Sequence, residues 1–299
     1  MFSDLQPPRA AGVLIGAAVS AWCFLLMSLL LWRGATQAID MDSFGAYVAA
    51  AFFLGLGALF AYWTYGCLTL RYHFDRNGLT IRWGDIRQHI PIDRIDALIP
   101  GRDQPEPKIS GVSWLGHHVG HAKVGALGDV MFYATHRSHE ELLYVVTAGG
   151  TYGISVKDEA RFAEDLEGHQ RMGQVVSLPQ VTERHSIAAQ PFWQDPIAQA
   201  LAFGAMLACT VMLGYVFRNY GGLADSIPFA YPSLGGITRV DDKRELMMIP
   251  ITGLGLLAVN LVLGFVLHAW ERAIGYLFFL AAIGAQIMLL AAAIITLRQ

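Results

Sequence analysis

Long uncharged apolar stretches lie on both sides of a polar segment that runs from Arg71 to about Met172. A helix of about 20 apolar residues crosses the hydrocarbon core of a bilayer. By that measure the pattern predicts five membrane-spanning helices, at residues 11–32, 44–70, 196–217, 247–268 and 274–297. We expect the first to remain as a signal anchor, because the apolar core of a cleaved signal peptide is shorter, about 7–15 residues.

Within the polar segment the spacing of apolar residues changes from a helical period to the alternation of β-strands. Apolar residues alternate with polar ones at positions 72–74 and 79–83, on either side of the turn residues Asn77-Gly78. This pattern predicts a β-hairpin. Further strands are predicted at residues 86–90, 130–135, 142–147 and 151–155.

A final helix is predicted to close the polar segment. Ser155 and Asp158 have the spacing of a capping box, and Phe162 and Leu166 lie four residues apart on one helical face. The fold class is therefore an α+β membrane protein with an inserted antiparallel β-domain capped by a C-terminal helix. Its predicted parts are a transmembrane hairpin, a soluble domain, a linker and a C-terminal transmembrane region, at residues 1–70, 71–172, 173–195 and 196–299.

The composition is typical of a multi-pass membrane protein, so we expect the lipid bilayer to be one of its partners. The 299 residues are 54% hydrophobic and only 15% charged, and the mean hydropathy is +0.41. The net charge of −3 gives no attraction to nucleic acid. Cys23, Cys67 and Cys209 lie inside apolar runs, so we read them as small hydrophobic residues and expect no disulfide.

Basic residues near the helix ends predict the orientation, because they are enriched in cytoplasmic loops. An N terminus inside places seven of them in the cytoplasm and six outside, and this modest excess depends on the polar segment. We expect the N terminus and the polar segment to be cytoplasmic. The inside set is Arg9, Arg71, Arg76, Arg82, Arg87, Arg184 and Arg272, and the outside set is Arg33, Arg218, Arg239, Lys243, Arg244 and Arg298.

The polar segment resembles the bacterial pleckstrin-homology-like (PH) domains of membrane proteins. The resemblance rests on residues 72–81, 90–95, 125–135 and 151–155, followed by Phe162. It implies a strongly bent sandwich of seven strands capped by a C-terminal helix. In eukaryotic members that bind phosphoinositides, the first hairpin loop is basic, whereas the loop here offers only Arg76 beside Asn77-Gly78.

The C-terminal third resembles an uncharacterised bacterial multi-pass membrane family. The residues concerned are Ile227-Pro228-Phe229, Gly235-Gly236, residues 242–246, Ile249-Pro250 and Asn260. The histidine usual in that family after the proline-linked residues is absent, because Phe229 and Tyr231 occupy its neighbourhood. This departure puts any function that needs the histidine in doubt.

Three histidines, His117, His118 and His121, form the sharpest chemical pattern in the sequence. Imidazoles bind zinc, and a spacing of four places two of them on one face of a helix. Gly116 and Gly120 instead favour a solvated polar loop, and no glutamate separates the histidines. We therefore predict no metal site and no cofactor, and keep a metal site in this loop as the alternative.

Four arginines beside the second predicted span are candidate contacts with the membrane surface: Arg71, Arg76, Arg82 and Arg87. Each basic residue close to an anionic membrane contributes about 1 kcal/mol of binding. Acidic residues nearly balance the basic ones over this stretch, so we favour a role in setting orientation over recognition of a lipid.

The predicted function is a non-enzymatic bacterial inner-membrane protein whose PH-like domain is a docking or regulatory platform. It suits an accessory subunit of a membrane complex, with a membrane protein or a second copy as partner. Apart from His268 at the end of a span, the predicted spans carry only amides such as Asn260 and Gln286 and no ionisable groups, which disfavours an ion-coupled carrier. Two alternatives stay open, a sensor of lipid or of a small ligand, and a metal-dependent membrane enzyme using the His117–His121 loop.

Overall fold

A computed structural model describes residues 3–5, 7–136, 138–156, 158–172, 179–231 and 237–298. The chain divides into two compact units. The first, here called the domain unit, comprises residues 1–24 and 55–189. The second, the helical unit, comprises residues 25–54 and 190–299.

Among the described residues five helices are long and apolar enough to cross a membrane, the number that the sequence predicted. The first helix is longer than predicted, since its backbone hydrogen bonds continue to the Gln37 N–H, which donates to the Arg33 carbonyl. Asp40 and Ser43 then exchange hydrogen bonds at the start of the second helix. The helices are α1 (Ala10–Thr36), α2 (Met41–Thr69), α3 (Glu159–Met172), α4 (Pro196–Tyr220), α5 (Met248–Leu267) and α6 (Arg272–Leu297).

Two sheets build the domain unit. The first consists of five strands in the order β1-β2-β3-β4-β11, and the second of six strands in the order β5-β9-β10-β8-β7-β6. The strands are β1 (Ser3–Leu5), β2 (Arg71–Phe74), β3 (Gly78–Trp83), β4 (Ile86–Pro91), β5 (Ile95–Pro100), β6 (Ser110–Trp114), β7 (His117–Val124), β8 (Gly128–Ala134), β9 (Leu142–Thr147), β10 (Gly150–Ser155) and β11 (Val181–Arg184).

The pairing confirms an antiparallel domain, with one exception. Strands β8 and β10 run parallel to each other. The described part of residues 71–155 holds nine strands, β2 to β10, where the resemblance implied seven for the whole domain. One of the additional strands is β6, which lies between residues 90 and 130, where the sequence pattern predicted no strand.

The core of the domain unit lies between the two sheets and α3. The predicted alternation is confirmed, because Tyr72, Phe74, Leu79 and Ile81 are all buried. The Tyr72 hydroxyl donates to the Tyr133 carbonyl at 2.5 Å and accepts from the Ser155 N–H at 3.2 Å, which ties the first sheet to the second.

Helix α3 covers this core with Phe162 and Leu166, both buried as predicted. The predicted capping box is wrong. The Ser155 hydroxyl lies at the end of β10 and accepts from the Thr135 and His136 N–H groups. Asp158 caps the helix alone, because its carboxylate accepts from the Arg161 N–H at 3.0 Å.

Strands from outside residues 71–172 extend the three strands β2, β3 and β4 at both edges. Strand β1 pairs with β2 at one edge, and β11 pairs with β4 at the other. Strand β11 lies in the stretch predicted as a linker. Without β11, strand β4 would expose a row of unpaired backbone N–H and C=O groups. Pairing with β11 satisfies these groups.

In the helical unit, α4, α5 and α6 pack around Met212, Val216 and Ala293. Asp195 precedes α4 and accepts from the Ile197 and Ala198 N–H groups and from the Tyr276 hydroxyl of α6. These hydrogen bonds, chiefly that of Tyr276, hold the pKa of the Asp195 carboxyl below its ordinary value.

The polar connection predicted between α4 and α5 contains a β-hairpin. Its strands are β12 (Ser226–Tyr231) and β13 (Ile237–Asp242), and they pair antiparallel. Asp242 then caps a short 3-10 helix by accepting from the Arg244 N–H.

Candidate functional site

Three of the four predicted membrane-contact arginines come together on the five-stranded sheet. Arg71 of β2 lies directly opposite Arg82 of β3, and Arg82 lies directly opposite Arg87 of β4. All three side chains are exposed, whereas their strand neighbours Tyr72, Ile81 and Gln88 are buried. The three form an outward-facing set, here called the arginine row. Arg76 is not part of it, because it lies in the turn between β2 and β3.

The arginine row lies next to the end of α2. Arg71 follows the last residue of α2, Thr69, by two positions. The turn between β3 and β4 is attached to the same helix end, since the Gly84 N–H donates to the Thr69 hydroxyl at 2.8 Å. The row is therefore fixed at the point where the second membrane helix stops.

The predicted histidine loop is wrong, because His117, His118 and His121 belong to strand β7. Side chains alternate along a strand, so His117 and His118 point to opposite faces. His118 contacts the Ser113 hydroxyl, with 2.7 Å between its Nδ1 and that oxygen, and His121 is exposed beside Asp129. Four residues of extended strand separate His117 from His121 by about 13 Å.

These three histidines therefore do not converge on one point. Across the described residues, no three His, Cys, Asp or Glu side chains are grouped in a way that could hold a metal ion. Each histidine of β7 has a separate environment. His117 is buried, His118 contacts the Ser113 hydroxyl, and His121 is exposed.

His117 is fully buried between two tryptophans. Its ring is nearly parallel to that of Trp83, with 6.1 Å between centroids, and lies 4.6 Å from the Trp114 ring. Within the described residues neither ring nitrogen has a hydrogen-bond partner. Burial, with a smaller effect from His118, lowers the pKa of His117 to about 4, so the imidazole is neutral at physiological pH.

The β6–β7 hairpin packs against the membrane helices of the domain unit. The Trp114 indole N–H donates to the Gly12 carbonyl of α1 at 3.0 Å. A Cβ atom at Gly12 would lie 2.2 Å from the Gly116 carbonyl oxygen, and one at Gly116 would lie 2.4 Å from the Gly12 nitrogen. The two backbones touch, and only glycine permits so close an approach.

The same hairpin covers the end of α2. Trp114 contacts the rings of Phe60 and Trp63, with centroids 5.8 and 6.2 Å apart. The Cys67 thiol is fully buried and lies 3.8 Å from the Gly116 carbonyl oxygen. The strands and the adjoining ends of α1 and α2 therefore share one packed interior within the domain unit.

Comparison with protein families agrees with this architecture. Residues 70–170 match a family model described as a bacterial PH domain. This segment is a PH-like domain. No curated protein and no solved structure matches the chain. The first resemblance is thus confirmed, while that of the C-terminal third stays a prediction, and its Gly235-Gly236 pair lies outside the described residues.

The two larger clefts among the described residues of the PH-like domain and its flanking segments differ in polarity. One of about 750 Å³ is polar and is lined in part by Gln88, Arg94, Tyr152 and Gln180. The Gln180 amide donates to Thr147 and Tyr152, which attaches the segment before β11 to the second sheet. This cleft offers amide, hydroxyl and guanidinium groups, and it suits a polar ligand or partner side chain better than an apolar one.

The second cleft, of about 790 Å³, lies beside the β6–β7 hairpin and the start of α1. It contains His118 and a close pair in which His136 Nδ1 lies 2.6 Å from a Glu141 carboxylate oxygen. The carboxylate orients the His136 ring. These groups provide polar contacts at the mouth of a mainly apolar cleft.

Sequence reasoning missed the residues that join the PH-like domain to its membrane helices. Gly12 of α1 receives Gly116 and Trp114 from the β6–β7 hairpin, and the Cys67 side chain of α2 is also close to it. Gly57 of α2 contacts α1, because its carbonyl accepts from the Ser20 hydroxyl at 2.9 Å. The available signal was Trp114, a large aromatic residue two positions before a glycine in a polar segment.

Proposed function

We propose that this chain is a non-enzymatic membrane protein whose PH-like domain is a docking or regulatory platform, as in an accessory subunit of a larger membrane assembly. In this proposal the chain lies in the bacterial inner membrane with its N terminus and PH-like domain in the cytoplasm. A PH-like domain together with five apolar helices supports the coarse part of the proposal.

The observation that carries the proposal is the packing of the β6–β7 hairpin on α1 and α2. The Gly12–Gly116 contact and the indole hydrogen bond of Trp114 leave no room for the hairpin to shift without separating from both helices. A domain that served only as a tethered, freely moving module would not need this contact. Packing of this kind lets a partner bound to the domain bias the helices, and the reverse.

Site-specific photo-crosslinking in native membranes tests the docking role. We place a photo-reactive residue at Lys123, which is exposed at the end of β7 far from the β6–β7 turn. The matched control carries it at Met288, which is 74% exposed on α6. We expect one discrete adduct from position 123, of a protein that also co-purifies stoichiometrically in mild detergent.

An adduct of twice the mass of the chain identifies a second copy as the partner. Repeated recovery of a lone chain, with no adduct from position 123 or only the lipid adducts expected from position 288, contradicts the proposal.

A further inference from the structure

The geometry points to the arginine row, Arg71, Arg82 and Arg87, as a binding site for the phosphate group of an anionic phospholipid headgroup beside the end of α2. This inference goes beyond the docking function and does not depend on it. The ligand is a phospholipid of the bilayer that the helices cross, and the register of three strands supports the site.

The register brings the three guanidinium groups side by side. Directly opposite residues of antiparallel strands have Cβ atoms about 4.5–5.5 Å apart. Two consecutive pairs, Arg71 with Arg82 and Arg82 with Arg87, place three positive charges across a width of about 10 Å. Guanidinium groups cannot relieve the repulsion by losing a proton, and like charges directly opposite each other destabilise a sheet.

Neighbouring acids do not neutralise the row. Within the described part of the chain, no carboxylate lies within ion-pair distance of these three guanidinium groups. Glu183 of β11 extends the row opposite Arg87, but its carboxylate lies 3.4 Å from His89 Nε2 and 4.0 Å from His185 Nε2. Among further acids on this sheet, Asp85 lies in the turn between β3 and β4, and Asp4 of β1 is directly opposite His73 and not Arg71.

The row lies at the end of a candidate membrane span, which is where lipid headgroups are expected. Thr69 ends α2, and its hydroxyl holds the β3–β4 turn beside the row. In the last turns of the same helix Tyr65 is exposed, as is typical of a membrane interface, whereas Tyr62 and Trp63 pack on Trp83 and Trp114 of the domain. Arg9 adds a further positive charge at this level, since its guanidinium donates to the Leu70 carbonyl at 3.3 Å.

Phosphate fits this site better than a carboxylate ligand or a metal does. Guanidinium groups bind phosphate oxygens with paired hydrogen bonds, and three adjacent forks suit a tetrahedral anion with several oxygens. The next residues on the same face are His73, Thr80 and His89, which offer polar groups. We therefore assign the site to a phosphate carried by a lipid.

Native mass spectrometry of the full chain in detergent tests the assignment. Phosphatidylglycerol and phosphatidylcholine with the same acyl chains are titrated separately. The test variant is R71Q/R82Q/R87Q, and the matched control is R76Q, which removes an exposed arginine of the same domain outside the row. At about 1 kcal/mol for each arginine, the triple variant should bind phosphatidylglycerol roughly a hundredfold more weakly, while R76Q binds as wild type does.

The single variant R82Q removes only the central guanidinium and should weaken binding roughly fivefold. It keeps the test valid if the triple variant does not fold, which thermal unfolding of each variant checks. Binding should also fall as the salt concentration rises. Equal retention of the two lipids by wild type, or unchanged binding in a folded R82Q, overturns the assignment. Displacement of the lipid by millimolar inorganic phosphate also overturns it, in favour of a soluble phosphate ligand.

Discussion

Acidification should open the β6–β7 hairpin, because the hairpin buries His117 as a neutral imidazole. The ordinary pKa of histidine is about 6.5, and burial lowers that of His117 to about 4. In the open hairpin the ring regains its ordinary pKa and binds a proton more readily. The stabilisation is therefore complete above pH 6.5 and is lost progressively as the pH falls towards 4.

The magnitude follows from the difference between the two pKa values. Each pKa unit corresponds to 1.36 kcal/mol, so protonation weakens the closed hairpin by about 3 kcal/mol at pH 4. The population of the open hairpin should then increase on the order of a hundredfold between pH 7 and pH 4. The aromatic neighbours Trp83 and Trp114 offer the protonated ring no carboxylate to pair with.

The buried thiol of Cys67 provides the assay. It lies under the hairpin against Gly116, and Cys23 and Cys209 can be replaced by alanine to leave it as the single thiol. Its rate of modification by a disulfide reagent active in acid, divided by the rate in the denatured chain at the same pH, measures opening.

His117→Phe keeps an aromatic ring in the cage and removes the titrating group, so its opening should not change with pH. His121→Phe replaces an exposed histidine of the same strand and should behave as the parent does. Equal acid sensitivity in the parent and in His117→Phe would refute the reasoning.

Two further predictions concern the contacts that hold each unit together. Gly116→Val should raise the Cys67 modification rate at neutral pH at least tenfold, because its side chain would meet the Gly12 backbone, whereas Gly55→Val has open space and should not. An unchanged rate in Gly116→Val would contradict the tight contact. Asp195→Ala should lower the Tm of the full chain in detergent by a few degrees, because α4 loses its cap and the Tyr276 hydroxyl loses its acceptor. Tyr276→Phe, which keeps the cap, should lower Tm by less, and the reverse order would contradict this.

The membrane helices and the first hairpin were predictable because each depends on a pattern within one segment. An apolar run long enough to span a bilayer has few other structures available. The alternation through Tyr72 and Phe74, then Leu79 and Ile81, fixes which face of β2 and β3 is buried. Local chemistry decides such elements, and it is complete in the sequence.

The β6–β7 hairpin was not predictable, because its environment is created by distant residues. His117 is polar in a sequence and therefore suggests solvent, yet Trp83 and Trp114 enclose it. Gly111 and Gly120 suggest a loop, yet they lie directly opposite each other in the ladder. The strand assignment of these residues depends on contacts with the ends of α1 and α2, which the local sequence does not show.

The arginine row was within reach of the sequence. The two-residue turn Gly84-Asp85 between alternating strands sets Arg82 directly opposite Arg87, as the ladder shows. Counting from that turn identifies the pair without any structure. Arg71 required the register of β2 with β3, where the loop of four residues, 75–78, is less restrictive.

The two ends of the PH-like domain differ in what they contact. The ends of β2 and β7 nearest the helices carry the arginine row and the turn with Gly116, both attached to α1 or α2. The opposite ends carry Arg76 in one turn and the cross-strand pair Lys123 and Asp129 in another. Since helix contacts occupy part of the near ends, we expect a protein partner to dock at the far ends or along the sides of the sheets. A photo-reactive residue at position 123 should therefore give the protein adduct, and one at Leu115, in the β6–β7 turn, should give lipid adducts.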